Sequence, residues 1–237
     1  MTGFELVREH WSDRDYADFK AYLSSLSENG YKEFSAKLIP DTPHMYGIRV
    51  PALRSIAKAI AKGNYSEFLA LEKGDFHEEI IIDGLVAASV NCGYEEMLSY
   101  MKSFANKIYN WSICDTVSFK HMAKYTDRLI GDMDYFIYNK NPWGVRYGFG
   151  CLMNFFLTDE YIDRVFDYVK SVKSDMYYVQ MMQAWLVATA AAKQRDKTIE
   201  FLKSRSLTPE VMKMTVRKMC DSYRISPEDK AFVKTLK

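Results

Sequence analysis

The feature that most constrains the fold is a recurring helix-start signal, in which a capping residue directly precedes a proline. The signal occurs at Asn141-Pro142, Thr208-Pro209 and Ser226-Pro227. Such a residue accepts from the unpaired N–H groups of a first helical turn, where proline is tolerated because its missing N–H needs no partner. Thr158-Asp159-Glu160 predicts a fourth start, with acids in the first turn. The pattern predicts many short helices.

Apolar residues recur with the period of an α-helix. Within residues 162–169 they stand at i, i+3, i+4 and i+7, and within residues 212–220 at i, i+4, i+7 and i+8, so each set forms one stripe along a helix. Neither Asn29-Gly30 nor Asp83-Gly84 is flanked by the polar–apolar alternation of strands, so neither predicts a hairpin. We interpret Asn29-Gly30 as the end of a helix. The predicted fold class is all-α.

The spacing of the helices favours a repeat architecture. Loops are short and no Gly-, Ser- or Pro-rich linker interrupts them, so we expect a single domain over residues 1–237. Helical pairs of about 40 residues build HEAT and armadillo arrays, and about six such pairs would fit. The degenerate repeat leaves open a superhelical solenoid and an irregular helical bundle. A solenoid would supply a long concave face for an extended partner.

Composition and the length of apolar runs exclude several classes of protein. Hydrophobic residues make up 48% and charged residues 27% of the 237, which is typical of a globular chain. No apolar run approaches the ~18–20 residues of a membrane span. Residues 1–5 show no basic segment leading into an apolar one, so we expect no signal peptide and a cytoplasmic location.

Cysteine and histidine spacing gives no sign of a metal site. The four cysteines are far apart, form no CxxC pair and are interpreted as reduced core thiols. The four histidines lack the spacing of metal ligands, so we predict neither a metal nor another cofactor. These residues are Cys92, Cys114, Cys151 and Cys220, and His10, His44, His77 and His121.

Charge is unevenly distributed along the chain. The net charge is only +1, yet residues 1–165 carry 18 Lys and Arg against 23 Asp and Glu, whereas residues 166–237 carry 14 against 8. A basic C-terminal third suits contacts with a phosphate backbone. A set of solvated helix faces would give the same count.

Three tryptophan-centred positions make the sequence more specific. Trp111 and Asp115 are four residues apart and would share one helix face. Trp143 and Arg146 follow the helix start at Asn141-Pro142, and Trp185 lies in an Ala-Trp-Leu triplet. Each position alone is also compatible with an ordinary core tryptophan or surface acid.

Taken together, these positions resemble the bacterial DNA alkylation repair family of glycosylases with HEAT-like repeats. The order W-x-x-x-D, W-x-x-R and A-W-L is similar to the family's. Residues 46–58, Tyr-Gly-Ile-Arg-Val-Pro-Ala-Leu-Arg-Ser-Ile-Ala-Lys, resemble its G-[IV]-x-x-P-x-x-R segment, and residues 207–226 resemble its last repeat. The resemblance covers about residues 31–237.

The resemblance implies hydrolysis of the N-glycosidic bond of cationic alkylated purines in duplex DNA, by a monomer. It assigns to Asp115 the stabilisation of oxocarbenium charge and the positioning of water. It places Trp111 and Trp185 beside the cationic nucleotide, because indole faces attract cations by about 0.5–2 kcal/mol. The residues expected to bind DNA are Arg146, through a phosphate beside the lesion, together with Trp143, Arg49 and Arg54.

Two departures from the family suggest a divergent paralogue. In active members a helix that runs up to the G-[IV]-x-x-P segment enters the minor groove. Here Pro40 and Pro43 must stop that helix near Ile39 and leave a loop through His44. After Trp185, residues 187–190 read Val-Ala-Thr-Ala where active members carry an Arg-Glu pair.

These departures keep a second hypothesis open. The chain would then be a non-catalytic helical scaffold that binds protein or an unusual nucleic-acid structure along its concave face. In that case Trp111 and Trp143 would pack structurally, and Asp115 would pair with Arg146.

Overall fold

The computed structural model describes residues 4–39, 42, 44–74 and 76–236, and the regular structure within these ranges is helical. The described residues form no strand, and their one isolated β-bridge joins His44 and Phe76. The all-α class is therefore confirmed. The chain divides into two compact units, Met1–Lys124 and Tyr125–Lys237. The expectation of a single domain stays a prediction.

The first unit is organised around one helix that is buried over most of its length. Its helices are α1 (Asp13–Ser25), α2 (Asn29–Leu38), α3 (Val50–Ile60), α4 (Tyr65–Ala70), α5 (His77–Ser89), α6 (Tyr94–Lys107) and α7 (Trp111–Thr116), followed by a 3₁₀ helix (Lys120–Lys124). Helices α3, α4, α6 and α7 all pack on α5. Every residue of α5 from 77 to 87 is buried, as expected of a helix surrounded by others.

The second unit shows the contacts of a helical repeat. Its helices are α8 (Thr126–Asp132), α9 (Asp134–Ile137), α10 (Pro142–Phe155), α11 (Ile162–Ser171), α12 (Tyr177–Lys193), α13 (Arg195–Lys203), α14 (Pro209–Asp221) and α15 (Pro227–Lys234). Helices α10, α12 and α14 contact one another in series, and α11 packs on α13. Contact between every second helix is typical of stacked helical pairs. The helical-repeat class is confirmed, and the number of about six pairs stays a prediction.

The three cap-and-proline signals each begin a helix. Asn141 accepts from the backbone N–H of Trp143 at 3.0 Å and Ser226 from that of Asp229 at 3.1 Å. Thr208 accepts from Val211 at a longer 3.4 Å. These starts were predictable because both partners lie within four residues of one another.

Two predicted boundaries are wrong. Asn29 and Gly30 begin α2 instead of ending α1, because α1 already closes at Leu26, whose N–H bonds the Leu23 carbonyl oxygen. Thr158 precedes a turn, in which its carbonyl oxygen accepts from the N–H of Tyr161 at 3.2 Å, and α11 begins only at Ile162.

The predicted end of the helix near Ile39 is confirmed. Helix α2 ends at Leu38, and the Ile39 N–H still bonds the Ser35 carbonyl oxygen at 3.0 Å. Pro40 and Pro43, on which the prediction was based, lie outside the described residues. Helix α2 has ten residues, none of them buried. It is thus a short helix on the surface of the first unit.

Candidate functional site

Helix α7 carries the first predicted tryptophan–carboxylate pair. It is six residues long, and the Asn110 side chain caps its start by accepting from the Ile113 N–H at 2.9 Å. Trp111 is half-buried and Asp115 is exposed. Because the two residues are separated by four positions on a helix, they lie on one face, as predicted.

The Trp111 indole is attached to the end of α2. Its Nε1–H donates to the Leu38 carbonyl oxygen at 3.3 Å, one of the carbonyls that a helix C-terminus leaves without an intrahelical partner. The ring also borders a small cleft with a volume of about 90 Å³, whose lining includes Phe34, His77 and Ser112. Helix α2 therefore holds the ring of Trp111.

A buried histidine supports the start of α7. The side chains of His77 and Asn110 are only 6% and 5% exposed, and His77 Nδ1 lies 3.2 Å from Asn110 Nδ2. On its other side, His77 Nε2 lies 3.4 Å from the Ser112 hydroxyl. Burial lowers the pKa of His77, against the opposing effect of the Glu78 carboxylate, and so favours the neutral ring.

A buried carboxylate fixes the segment that precedes α3. Glu78 accepts from three successive backbone N–H groups, those of Tyr46 at 2.9 Å, Gly47 at 2.7 Å and Ile48 at 3.2 Å. Gly47 has a φ of +87°, and a Cβ there would come within 2.6 Å of the Lys32 Cβ. The conformation therefore requires glycine at this position.

The two arginines predicted to bind DNA from this segment have different surroundings. Arg49 is exposed, with its Nε 3.0 Å from Glu28 Oε2 and its guanidinium 4.8 Å from the centre of the Tyr31 ring. Arg54 reaches α7, where its Nη2 donates to the Thr116 carbonyl oxygen at 3.1 Å. Arg54 thus lies beside the helix that carries Asp115.

The second predicted pair lies in the first turns of α10. Arg146 is only 4% exposed, and its Nη1 donates to the Tyr178 carbonyl oxygen at 2.9 Å. Trp143 is half-buried and packs on the Tyr178 ring with centroids 4.9 Å apart. Both side chains therefore join α10 to the first turn of α12.

Trp185 projects from α12 and is 40% exposed. Its ring has a cationic neighbour, since the ammonium of Lys218 on α14 lies 5.5 Å from the ring centroid. One turn later, the Thr189 hydroxyl donates back to the Trp185 carbonyl oxygen at 2.8 Å. Val187, Ala188 and Ala190 are buried.

The predicted residues thus form separate groups within the two units. In the first unit Trp111 and Asp115 lie on α7, and Arg54 donates a hydrogen bond to the end of that helix. Arg49 pairs with Glu28. In the second unit Trp143 and Arg146 both contact Tyr178, and Trp185 has Lys218 as its neighbour.

Sequence reasoning missed His77, Glu78 and Lys218. The first two stand just before the apolar run Ile80-Ile81-Ile82, which marks the start of a buried helix but does not distinguish Glu78 from an ordinary acid in a first helical turn. Lys218 gave no signal, since its neighbour Trp185 lies on another helix.

The described residues contain no group of three or more His, Cys, Asp or Glu side chains arranged to hold a metal ion. The four cysteines are free thiols, of which Cys114 and Cys151 are buried. Burial raises the pKa of Cys151 to about 12, so this thiol is inert at neutral pH. No described helix is both long enough and apolar enough to cross a bilayer.

The fold and these side chains define a helical-repeat protein with an exposed carboxylate and tryptophans on its helices. A family model described as DNA alkylation repair enzyme matches residues 19–219, and the chain belongs to this family. Its role is therefore in the repair of alkylated DNA. Comparisons with curated proteins and with solved structures found no match.

Proposed function

We propose that this chain is a glycosylase that hydrolyses the N-glycosidic bond of cationic N3- or N7-alkylated purines in duplex DNA. The observation that carries the proposal is the position of Asp115. Its exposed carboxylate shares a face of α7 with Trp111, in a chain whose family repairs alkylated DNA.

The chemistry suits an exposed carboxylate. As the bond from C1′ to the purine nitrogen breaks, its electron pair leaves with the base, and positive charge develops on the deoxyribose. A carboxylate stabilises that charge and orients the water that adds to C1′, whose proton passes to the carboxylate or to solvent. The base departs neutral because alkylation had made it a cation, so no strong general acid is needed.

Aromatic side chains provide selectivity for the charged base. Trp111, beside Asp115, is proposed to face the nucleotide, because an indole face favours a cation over a neutral base. Trp185 is proposed to offer an indole face of the same kind on the second unit. The Lys218 ammonium on Trp185 shows that this ring already has a cationic neighbour. Trp143 is proposed to contact DNA from α10, whereas Arg146, only 4% exposed, is proposed to support it by holding α10 to the first turn of α12.

Release of 7-methylguanine and 3-methyladenine from methylated duplex DNA tests the proposal. Asp115→Asn is expected to lose base release by a hundredfold or more, since removing one stabilising group costs about 10²–10³ in rate. Asp18→Asn, the same change at an exposed position of α1, is the matched control and should keep the wild-type rate. Wild-type rates in a folded Asp115→Asn protein would overturn the role of Asp115.

A non-catalytic scaffold remains the second candidate, favoured by the uncharged residues 187–190, of which Val187, Ala188 and Ala190 are buried. Affinity for alkylated and undamaged duplexes at several salt concentrations separates the two. A glycosylase should show a salt slope of about −0.9 per phosphate contact. A protein-binding scaffold should bind neither duplex measurably.

A further inference from the structure

Helix α7 is too short to be stable on its own. It has six residues, whereas isolated helices below about 12–15 residues are marginal in water. Packing on α5 and side-chain bonds at its two ends must therefore determine where Trp111 and Asp115 point.

Arg54 supplies the bond at the C-terminal end. The last carbonyls of a helix lack intrahelical partners and carry partial negative charge, so a guanidinium there is favourable. Arg54 Nη2 donates to the carbonyl oxygen of Thr116, the residue next to Asp115. A phosphate contact is thus not the only role open to this exposed arginine.

His77 supplies the bond at the N-terminal end, and the direction of its hydrogen bonds can be assigned. Asn110 uses its side-chain oxygen to accept from the Ile113 N–H, so its NH₂ group faces His77 and also donates to the Thr42 hydroxyl at 2.9 Å. His77 Nδ1 must then be the acceptor, which leaves the proton on Nε2, toward Ser112.

This assignment rules out a nucleophilic role for the Ser–His–Asn arrangement. A serine nucleophile needs a histidine nitrogen that accepts its proton. Here the nitrogen facing Ser112 already carries one, so the ring holds the helix start in place.

We propose that Arg54 and His77 are positioning residues that hold α7 at its two ends and so aim Asp115. The inference rests on the proposed glycosylase function for its kinetic test, and on the contacts alone for its structural test.

The kinetic test is Arg54→Gln in the full chain. We expect the rate constant of base release to fall about tenfold to a hundredfold, because small misplacements of a catalytic group have effects of this size. DNA affinity and its salt slope should stay unchanged. Lys58→Gln removes the same charge one turn further along α3, from an exposed side chain, and should change none of these quantities. Arg54→Lys retains a donor and should restore part of the rate.

The opposite pattern would overturn the role of Arg54. A phosphate contact predicts weaker binding and a salt slope smaller by about 0.9, with the rate constant of the bound complex unchanged. Arg49→Gln, at an exposed arginine that is predicted to bind DNA, is the variant expected to show the pattern of a lost phosphate contact.

The structural test does not depend on activity. Hydrogen exchange of residues 110–119 should become faster in Arg54→Gln and in His77→Phe, with that of α12 unchanged. His77→Asn can still accept from Asn110 and should exchange more slowly than His77→Phe. Unchanged exchange in both Arg54→Gln and His77→Phe would overturn the inference even if the chain proves to be a glycosylase. Faster exchange in a chain without base release would retain it and reject only the proposed function.

Discussion

Helices α5 and α12 hold equivalent central positions in the two units, yet they are built from different residues. Helix α5 buries His77, Glu78, Glu79 and Asp83 among its apolar side chains. Among the buried residues of α12, which are mainly Ala, Val, Leu and Met, Gln183 is the polar one.

The difference follows from the backbone that each helix must support. In the first unit, residues 44–49 and 71–74 are largely irregular, and their N–H groups need partners. Glu78 accepts from the first segment, and Glu79 from the Gly74 N–H at 2.9 Å. In the second unit the helices satisfy most of their own backbone, and Gln183 Nε2 donates only to the carbonyls of Val169 and Val172. The buried carboxylates of Glu78 and Glu79 therefore accompany irregular backbone.

The largest effect is expected for Glu78→Ala. Three backbone N–H groups would lose their acceptor, and each buried unsatisfied group costs about 1–3 kcal/mol, so the free energy of unfolding should fall by about 4 kcal/mol. Urea denaturation measures this change, with Glu33→Ala on the exposed side of α2 as the control. A loss below about 1 kcal/mol would contradict the role assigned to this carboxylate.

The second effect concerns stability at alkaline pH. Tyr16 and Tyr46 donate to Glu79 at 2.6 and 2.8 Å, and burial followed by the Glu79 interaction raises the pKa of both. Above pH 10 the unfolded tyrosines lose protons that the folded ones keep, so stability falls as pH rises, by up to about 1.4 kcal/mol per pH unit for each. Buried Lys73, whose pKa is lowered, acts in the opposite direction.

The matched variant isolates the tyrosines from this opposing effect. Tyr16→Phe with Tyr46→Phe should flatten the decline of stability between pH 10 and 11, as measured by urea denaturation at each pH. Tyr223→Phe, at a fully exposed position of the second unit, should leave the decline unchanged. An equally steep decline in the double variant would contradict the account.

A smaller effect is expected for Gln183→Leu. The change removes two bonds to the end of α11 but keeps an apolar volume in the core, so about 1–2 kcal/mol should be lost. Urea denaturation of Gln183→Leu and Glu78→Ala under the same conditions compares their losses of unfolding free energy. If Gln183→Leu lowers the free energy of unfolding more than Glu78→Ala does, the proposed difference between α5 and α12 is contradicted.

The smallest effect is expected for Lys218→Met. Removing the ammonium from the Trp185 ring should raise the release of cationic 7-methylguanine by about threefold, because a cation–π contact at an exposed site is worth about 0.5–1 kcal/mol. Lys213→Met, an exposed position on the same helix, is the control. Reduced release in Lys218→Met alone would instead indicate that Lys218 contacts DNA.

The features predictable from sequence are those whose partners are close in the chain. Asn141, Thr208 and Ser226 cap helices that begin directly after them, and the spacing of Trp111 and Asp115 fixes their shared face. The resemblance to the family predicts the chemical roles of Trp111 and Asp115.

The rest depends on contacts between distant parts of the chain. Glu78 binds a loop about 30 residues earlier, and Arg54 meets Thr116 62 residues later. No local pattern distinguishes Glu78 from an ordinary acid in a first helical turn. The same holds for Arg54, which looks like a phosphate-binding arginine until its partner is known.

The most direct test of the proposed function identifies the product formed by the wild-type chain. A duplex with one 7-methylguanine is incubated with the protein, and the free base and the abasic strand are quantified together. The account predicts equal amounts of free 7-methylguanine and of strand cleaved at the abasic site by an abasic-site endonuclease. Restored guanine within intact DNA, or an unchanged lesion after incubation with folded protein, would contradict it.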